Sequence, residues 1–297
     1  MSRPAPGRGF AGRVCTRLLC ARLALGAALL ISLAGWVSIE RLFAPKAELW
    51  PRWQAHDPGA TETVDHGAWQ RILGTYLAPG ADRVNRFAYA SVGPADRHAL
   101  DGYIARLAAT PVSALARPEQ LAYWINLYNA LTVQVVLDHY PVASIHDIAI
   151  SPGLFAIGPW DKALIEVEGE AVSLNDIEHR ILRPIWRDPR VHYAVNCAAI
   201  GCPDLQASAF TGAGAEALLE AAARAYVNHP RGARVENGAL TVSSIYAWFR
   251  EDFGGTEAGV IAHLKRYAGA ELAKALATVT DIEDYEYDWA LNDAVQR

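Results

Sequence analysis

The side chains able to do chemistry gather between Asn126 and Cys202, in the middle of the chain. The richest stretch is Arg190-Val191-His192-Tyr193-Ala194-Val195-Asn196-Cys197, followed by Ala198-Ala199-Ile200-Gly201-Cys202-Pro203. Val191 to Cys197 alternates and predicts a strand, with His192, Ala194 and Asn196 on one face and Tyr193, Val195 and Cys197 on the other. His192 and Cys197 then point apart. Cys202 falls in a loop between a glycine and a proline, where backbone amides can stabilise a thiolate.

Three chemistries fit this stretch, beside two buried thiols with no role. Cys197 and Cys202 can form a disulfide if the backbone turns back. Cys202 can be a nucleophile, with His192 or His179 as base and Glu178 or Asn196 as orienter. Cys197, Cys202 and one or two histidines can hold a metal, but their spacing matches no standard zinc motif. No metal site and no cofactor are therefore assigned. The catalytic set read from the sequence is Cys202, His192 and Glu178. Asn126, Asn129, His179 and Asn196 are the substrate-binding candidates.

The supporting elements suggest why these residues matter. Leu174, Ile177, Ile181 and Ile185 recur at helical spacing, and Glu178 falls inside that apolar stripe. A carboxylate there needs a partner. It either pairs with an arginine such as Arg190 or orients a histidine, and His179 lies to one side. Asn126 and Asn129 are three apart in a helix that is apolar almost all round, so they share a face. They either tie loops to the core or form the polar wall of a pocket. In Ser243 to Gly254, Trp248 and Phe249 read as core. Glu251 and Asp252 near a helix C-terminus oppose the dipole, so an arginine should hold one of them. This segment reads as structural.

The fold class expected is α+β, a single mostly helical domain with a small, largely antiparallel sheet, after an N-terminal membrane helix. Helices are predicted over His66 to Leu77, Pro94 to Ala108, Glu119 to Tyr140, Ser173 to about Pro184, Glu216 to Asn228, Ile245 to Asp252 and Thr256 to Ala277. Ala163 to Val167 predicts a short strand. Asn237-Gly238 between two short runs is the strongest hairpin signal.

The beginning of the chain sets location. Arg3, Arg8, Arg13, Arg17 and Arg22 precede an apolar run from Leu23 to Ile39, and no acidic residue comes before Glu40. This predicts a basic cytoplasmic region over 1–22 and a signal anchor or signal peptide over 23–41, with cleavage after Ala34 in the second case. Residues 42–65 read as a linker and 66–297 as the globular domain. The domain is thus expected at the bacterial inner membrane facing the periplasm, or secreted to the periplasm if cleaved. Only Cys197 and Cys202 are exported, and two cysteines in an oxidising compartment favour a disulfide. Charge is mildly acidic, with 27 Lys and Arg against 32 Asp and Glu and no basic run in the domain, so nucleic acid is excluded as the main partner. The partners expected are the membrane, through the N-terminal helix, and a small molecule or peptide.

In their order, these segments resemble one known family, the domain-of-unknown-function family five-four-seven of bacteria and plants. The likeness runs from about His66 to Asn292. It rests on Ala122 to Ala130, Tyr140-Pro141-Val142 with Ser144-Ile145, Ser173 to Arg183, His192 to Pro203, Trp248 to Gly254 and Tyr287 to Asn292. Members often carry Ser before the Cys-Pro step, where this chain has Gly201. The family implies a domain boundary and a residue set, and no substrate. The mixture of amide, carboxylate, imidazole and thiol looks like a papain- or transglutaminase-type site, an analogy of residue type alone. The sequence thus leads to two functions. One is a membrane-anchored or exported thiol-dependent hydrolase or acyl transferase. The other is a non-catalytic ligand- or protein-binding envelope module with a Cys197–Cys202 disulfide.

Overall fold

The longest helix among the described residues, α3 (Arg117–His139), organises the body, and the order of elements follows from what packs on it. In the computed structural model, residues 44–153 and 157–294 are described. The signal anchor expected over 23–41 lies outside them. Among the described residues, no helix is long and apolar enough to cross a membrane. Helix α3 starts with Pro118 in its first turn, where a missing N–H costs nothing, and with Glu119 favourable to the dipole. It stops where Tyr140 turns extended before Pro141. Every residue from Glu119 to Val133 is buried, as an all-round apolar helix requires.

Helices α1 (Gly67–Tyr76) and α2 (Pro94–Ala108) precede it. After it come α4 (Arg183–Trp186), α5 (Ala215–Val227), α6 (Ile245–Trp248), α7 (Glu257–Tyr267) and α8 (Ala270–Leu276). The strands are short and form three small sheets. β1 (Leu77–Pro79) pairs with β2 (Asn85–Phe87), and β3 (Ile165–Val167) with β4 (Glu170–Val172), both antiparallel. β5 (Ala233–Glu236) and β6 (Ala239–Ser243) form the hairpin around Asn237 and Gly238, both at positive φ. β7 (Asp284–Glu286) adds to β6 in parallel. The fold is α+β, as expected.

The core has two parts. One surrounds α3 and reaches from Trp53 to Leu291; the other lies among α5, β5, β6 and α7. The tail after β7 closes over earlier elements. Ile200 and Gly201 donate to Ala290 and Asp288, Asn292 to Ala198, Leu291 to Ala143, and Phe87 in turn to Asn292.

Four local expectations are corrected. Val191 to Cys197 is no strand: Pro189–Tyr193 is a 3-10 turn begun by Asp188, whose carboxylate accepts the Arg190 N–H. The alternation misleads because Val191 to Asn196 are all buried, polar and apolar alike. Second, Ser173 and Asp176 do exchange hydrogen bonds as in a capping box, but Asp176–Leu182 then winds as a π-helix. The turn runs on through Pro184 to Trp186 and ends at Arg187, at φ 53. Third, the helix expected over Thr256 to Ala277 breaks at Ala268 and Gly269. There Asn228 accepts the Gly269 N–H and donates to the Tyr267 carbonyl. Fourth, the compact body begins at Pro45, within the stretch expected to be a linker. Trp53 is buried edge-on to Trp124, and Glu48 and Trp50 donate to the carbonyls of His179 and Arg180.

Candidate functional site: a buried ionic cluster beside a disulfide

The π-helical turns put Glu178, His179 and Arg183 along one flank, all buried. His192 comes from the 3-10 turn, and Asp252 from the turn after α6. His192 holds the middle: Nδ1 lies 3.2 Å from Glu178 Oε1 and Nε2 lies 2.7 Å from Asp252 Oδ2. Arg183 Nε donates to the same Asp252 oxygen at 2.6 Å. Arg183 Nη1 donates to His179 Nδ1 at 3.0 Å and to the Pro45 carbonyl at 2.8 Å. Phe249 plates the group. Its ring stacks on His192 at 4.5 Å, and the Arg183 guanidinium lies 4.7 Å over it.

Charge within the cluster balances. Burial alone would raise the Glu178 carboxyl, but His179, His192 and Arg183 outweigh it and hold the pKa at about 2. Asp252 is likewise held at about 2 by His192 and Arg183 against its burial. Burial would lower His192, yet hydrogen bonds to Asp252 and Glu178 raise it above the usual imidazole value. Burial wins at His179, which falls to about 4. A carboxylate oxygen at each ring nitrogen calls for a doubly protonated His192, so two carboxylates face one imidazolium and one guanidinium, with His179 neutral. Pairing of this kind lets charges stay buried. Both ring nitrogens of His192 are taken by carboxylates.

Cys197 and Cys202 form a disulfide, their Cα atoms 6.2 Å apart. Cys202 is buried, and its Sγ accepts the Cys197 N–H at 2.9 Å. Cys197 is half-buried, with its Sγ 3.1 Å from the Tyr287 hydroxyl. Gly201 between them packs against the tail: a Cβ there would lie 2.7 Å from the Asp288 nitrogen.

Each amide side chain is a two-way clamp on backbone. Asn126 donates to the Phe210 carbonyl at 2.8 Å and accepts the Phe210 N–H at 3.0 Å. Asn129 donates to the Ala194 carbonyl at 2.9 Å and accepts the Asn196 N–H at 2.8 Å. The Asn196 side chain spans its own loop, donating to the Pro203 carbonyl and accepting the Ala198 N–H. Asn292 of the tail also donates to it, at 3.3 Å.

The sequence-derived residues thus fall into three groups. Glu178, His179 and His192 meet in the ionic cluster. Cys197 and Cys202 meet in the disulfide. Asn126, Asn129 and Asn196 fasten loops. Arg190, the partner considered for Glu178, instead pairs with Asp188 and Glu216. Two members of the cluster had no assigned role. Asp252 carried a signal, since an acid at a helix C-terminus calls for a cation, and Arg183 supplies it. Arg183 itself had none beyond its position one turn after His179. Among the described residues no group of three or more His, Cys, Asp and Glu is arranged to hold a metal ion.

Fold and site together define a class: a helix-rich α+β domain with a charge-balanced buried centre and a disulfide-pinned loop. Residues 112–227 match the family described as protein of unknown function, DUF547. The match bears out the resemblance over that segment, which holds Asn126, Asn129, Glu178, His192, Cys197 and Cys202, while Asp252 lies beyond it. No curated protein and no solved structure matches the chain.

Proposed function

We propose that this chain is a membrane-anchored or exported envelope module that binds a ligand or protein and uses no catalytic thiol. The Cys197–Cys202 disulfide carries this reading, because a bonded, buried Cys202 is no nucleophile. The geometry of His192 supports it too. A base for Cys202 needs a free ring nitrogen, and Glu178 and Asp252 occupy both. The Arg-flanked apolar run supplies the envelope location, and a disulfide suits an oxidising compartment.

The test is intact mass of the exported protein after alkylation, with and without reductant. Neither Cys197 nor Cys202 should alkylate until reduced. Fast labelling of Cys202 alone in the unreduced protein would overturn the reading and restore the thiol-dependent hydrolase or acyl transferase, with Cys202, His192 and Glu178 as its site.

A further inference from the structure

An open groove of ≈ 700 Å³ runs between the segment leading into α1, residues 57–65, and the end of α2 with the turn after it, residues 106–115. Both walls belong to the compact body, and none of the lining residues belongs to the ionic cluster or the disulfide loop. Hydrogen bonds hold the first wall at two points. The Asp57 N–H goes to the Leu115 carbonyl at 3.1 Å, and the Val64 N–H goes to Glu119 Oε1 at 2.8 Å. The groove is therefore formed before any ligand arrives, and its volume suits a ligand site. Its lining is mostly apolar. Leu107 and Leu115 are the buried part, and Ala109, Pro111 and Ala114 the exposed part.

Charge points to the occupant. Asp57, Glu62 and Asp65 stand on the first wall, all exposed. Each carboxylate takes one N–H of its own loop, from Gly59, Thr61 and Gly67 respectively, and its other oxygen meets no donor among the described residues. Arg106 lines the same groove but pairs with none of them. It donates to the Gly102 carbonyl at 3.0 Å, and its guanidinium lies 5.9 Å over the Tyr103 ring. Three carboxylates against one guanidinium leave the groove negative. The same wall also offers main chain, because the N–H groups of Glu62 and Thr63 go to no acceptor among the described residues. A simple amine would meet the charge but not these donors, whereas a peptide brings carbonyls for them. We propose that the groove docks a short basic peptide, with its lysine or arginine side chains on Asp57, Glu62 and Asp65 and its apolar side chains on Ala109, Pro111 and Ala114. Complementary charge selects such a partner, and the apolar contact holds it. This goes beyond the proposed function, which assigns no surface to its ligand.

The full chain, in a neutral detergent, is mixed with a short capped peptide of alternating lysine and leucine, and hydrogen exchange is followed over residues 57–65 and 106–115. Exchange there should slow several-fold. Affinity should fall several-fold in D57N/E62Q, whose exposed side chains leave the fold intact, and rise in R106Q, which removes the one like charge. Melting temperatures check that both variants fold. A peptide with glutamate for lysine should not slow exchange, and neither should one with serine for leucine. No slowing by the lysine–leucine peptide overturns the proposal. Equal slowing by the glutamate peptide overturns it as apolar contact alone, and by the serine peptide as an acidic surface alone. Equal slowing by butylamine marks a small-cation site and overturns it too. Alkylation of Cys197 and Cys202 decides the proposed function separately, since neither lies in the groove.

Discussion

His192 Nε2 lies 2.7 Å from Asp252 Oδ2, joining two turns sixty residues apart in sequence. Asp252 in turn takes Arg183, and the other face of His192 takes Glu178. Removing the middle of such a chain leaves buried carboxylates without their counter-charge. His192→Ala should cost about 3–5 kcal/mol. Urea unfolding measures this, and a loss below about 1 kcal/mol would show that the cluster does not hold the fold.

The cluster also sets a pH profile. His179 is neutral in the fold with a pKa of about 4, below the free value of 6.5, so the unfolded chain binds protons first. Stability should fall as pH drops from 6.5 to 4. His263, also lowered to about 4 by burial, adds to the same window. Glu178 and Asp252 contribute above their free values of 4.5 and 3.8, and that contribution is lost as pH falls through about 2. His192, raised, contributes fully below 6.5, and its contribution fades as pH rises through its folded value. Urea midpoints from acid to mildly alkaline pH should trace this shape. His179→Gln should flatten the 6.5-to-4 limb; an unchanged limb would assign it elsewhere.

The amide clamps predict a different kind of loss. Asn129→Ala strands the Ala194 carbonyl and the Asn196 N–H together, and Asn126→Ala does the same at Phe210. Each orphaned buried group costs about 1–3 kcal/mol, so either variant should lose that much or more. Melting temperature reads it. Ligand binding measured well below the melting temperature should persist in both variants, whereas loss of binding without loss of stability would mean that the amides face a ligand.

The disulfide closes a short loop. Replacing both Cys197 and Cys202 by alanine should cost about 2 kcal/mol by loop-closure entropy. The loop carrying Ala198 to Gly201 should then exchange its amides faster, measured by hydrogen exchange. Equal stability of the variant and the oxidised parent would contradict a stapling role.

At Gly201 the family's common serine has no room here. Its Cβ would meet the Asp288 nitrogen at 2.7 Å and the Asp288 oxygen at 3.0 Å. Gly201→Ser should therefore destabilise by about 1–3 kcal/mol, the usual cost of overpacking. A variant as stable as the parent would show that the tail moves aside freely.

Much of this was legible in the sequence, and the failures have physical causes. Periodicity and caps located α2, α3, α5 and the Asn237-Gly238 hairpin because each is decided locally. Glu178 announced itself as a carboxylate in an apolar stripe. His192 stood among its candidate partners only beside His179 and Arg190, because it reaches Glu178 through a turn disguised by the alternation of Val191 to Cys197. The π-helical winding of Asp176–Leu182 left no mark either, since it changes the angle of side chains without changing their types. Glu251 and Asp252 together call for one arginine, but Arg183, which takes Asp252, lies sixty-nine residues earlier in sequence, beyond any local pattern.

Tyr287 to Asp293 closes over three distant pieces of chain: the Gly201 loop, the Phe87 strand and the turn at Ala143. These residues are synthesised after everything they seal. Contacts this remote in sequence form late and slowly. The body therefore stays open along three separate seams until Tyr287 to Asp293 has been made, and one short segment fastens all three at once.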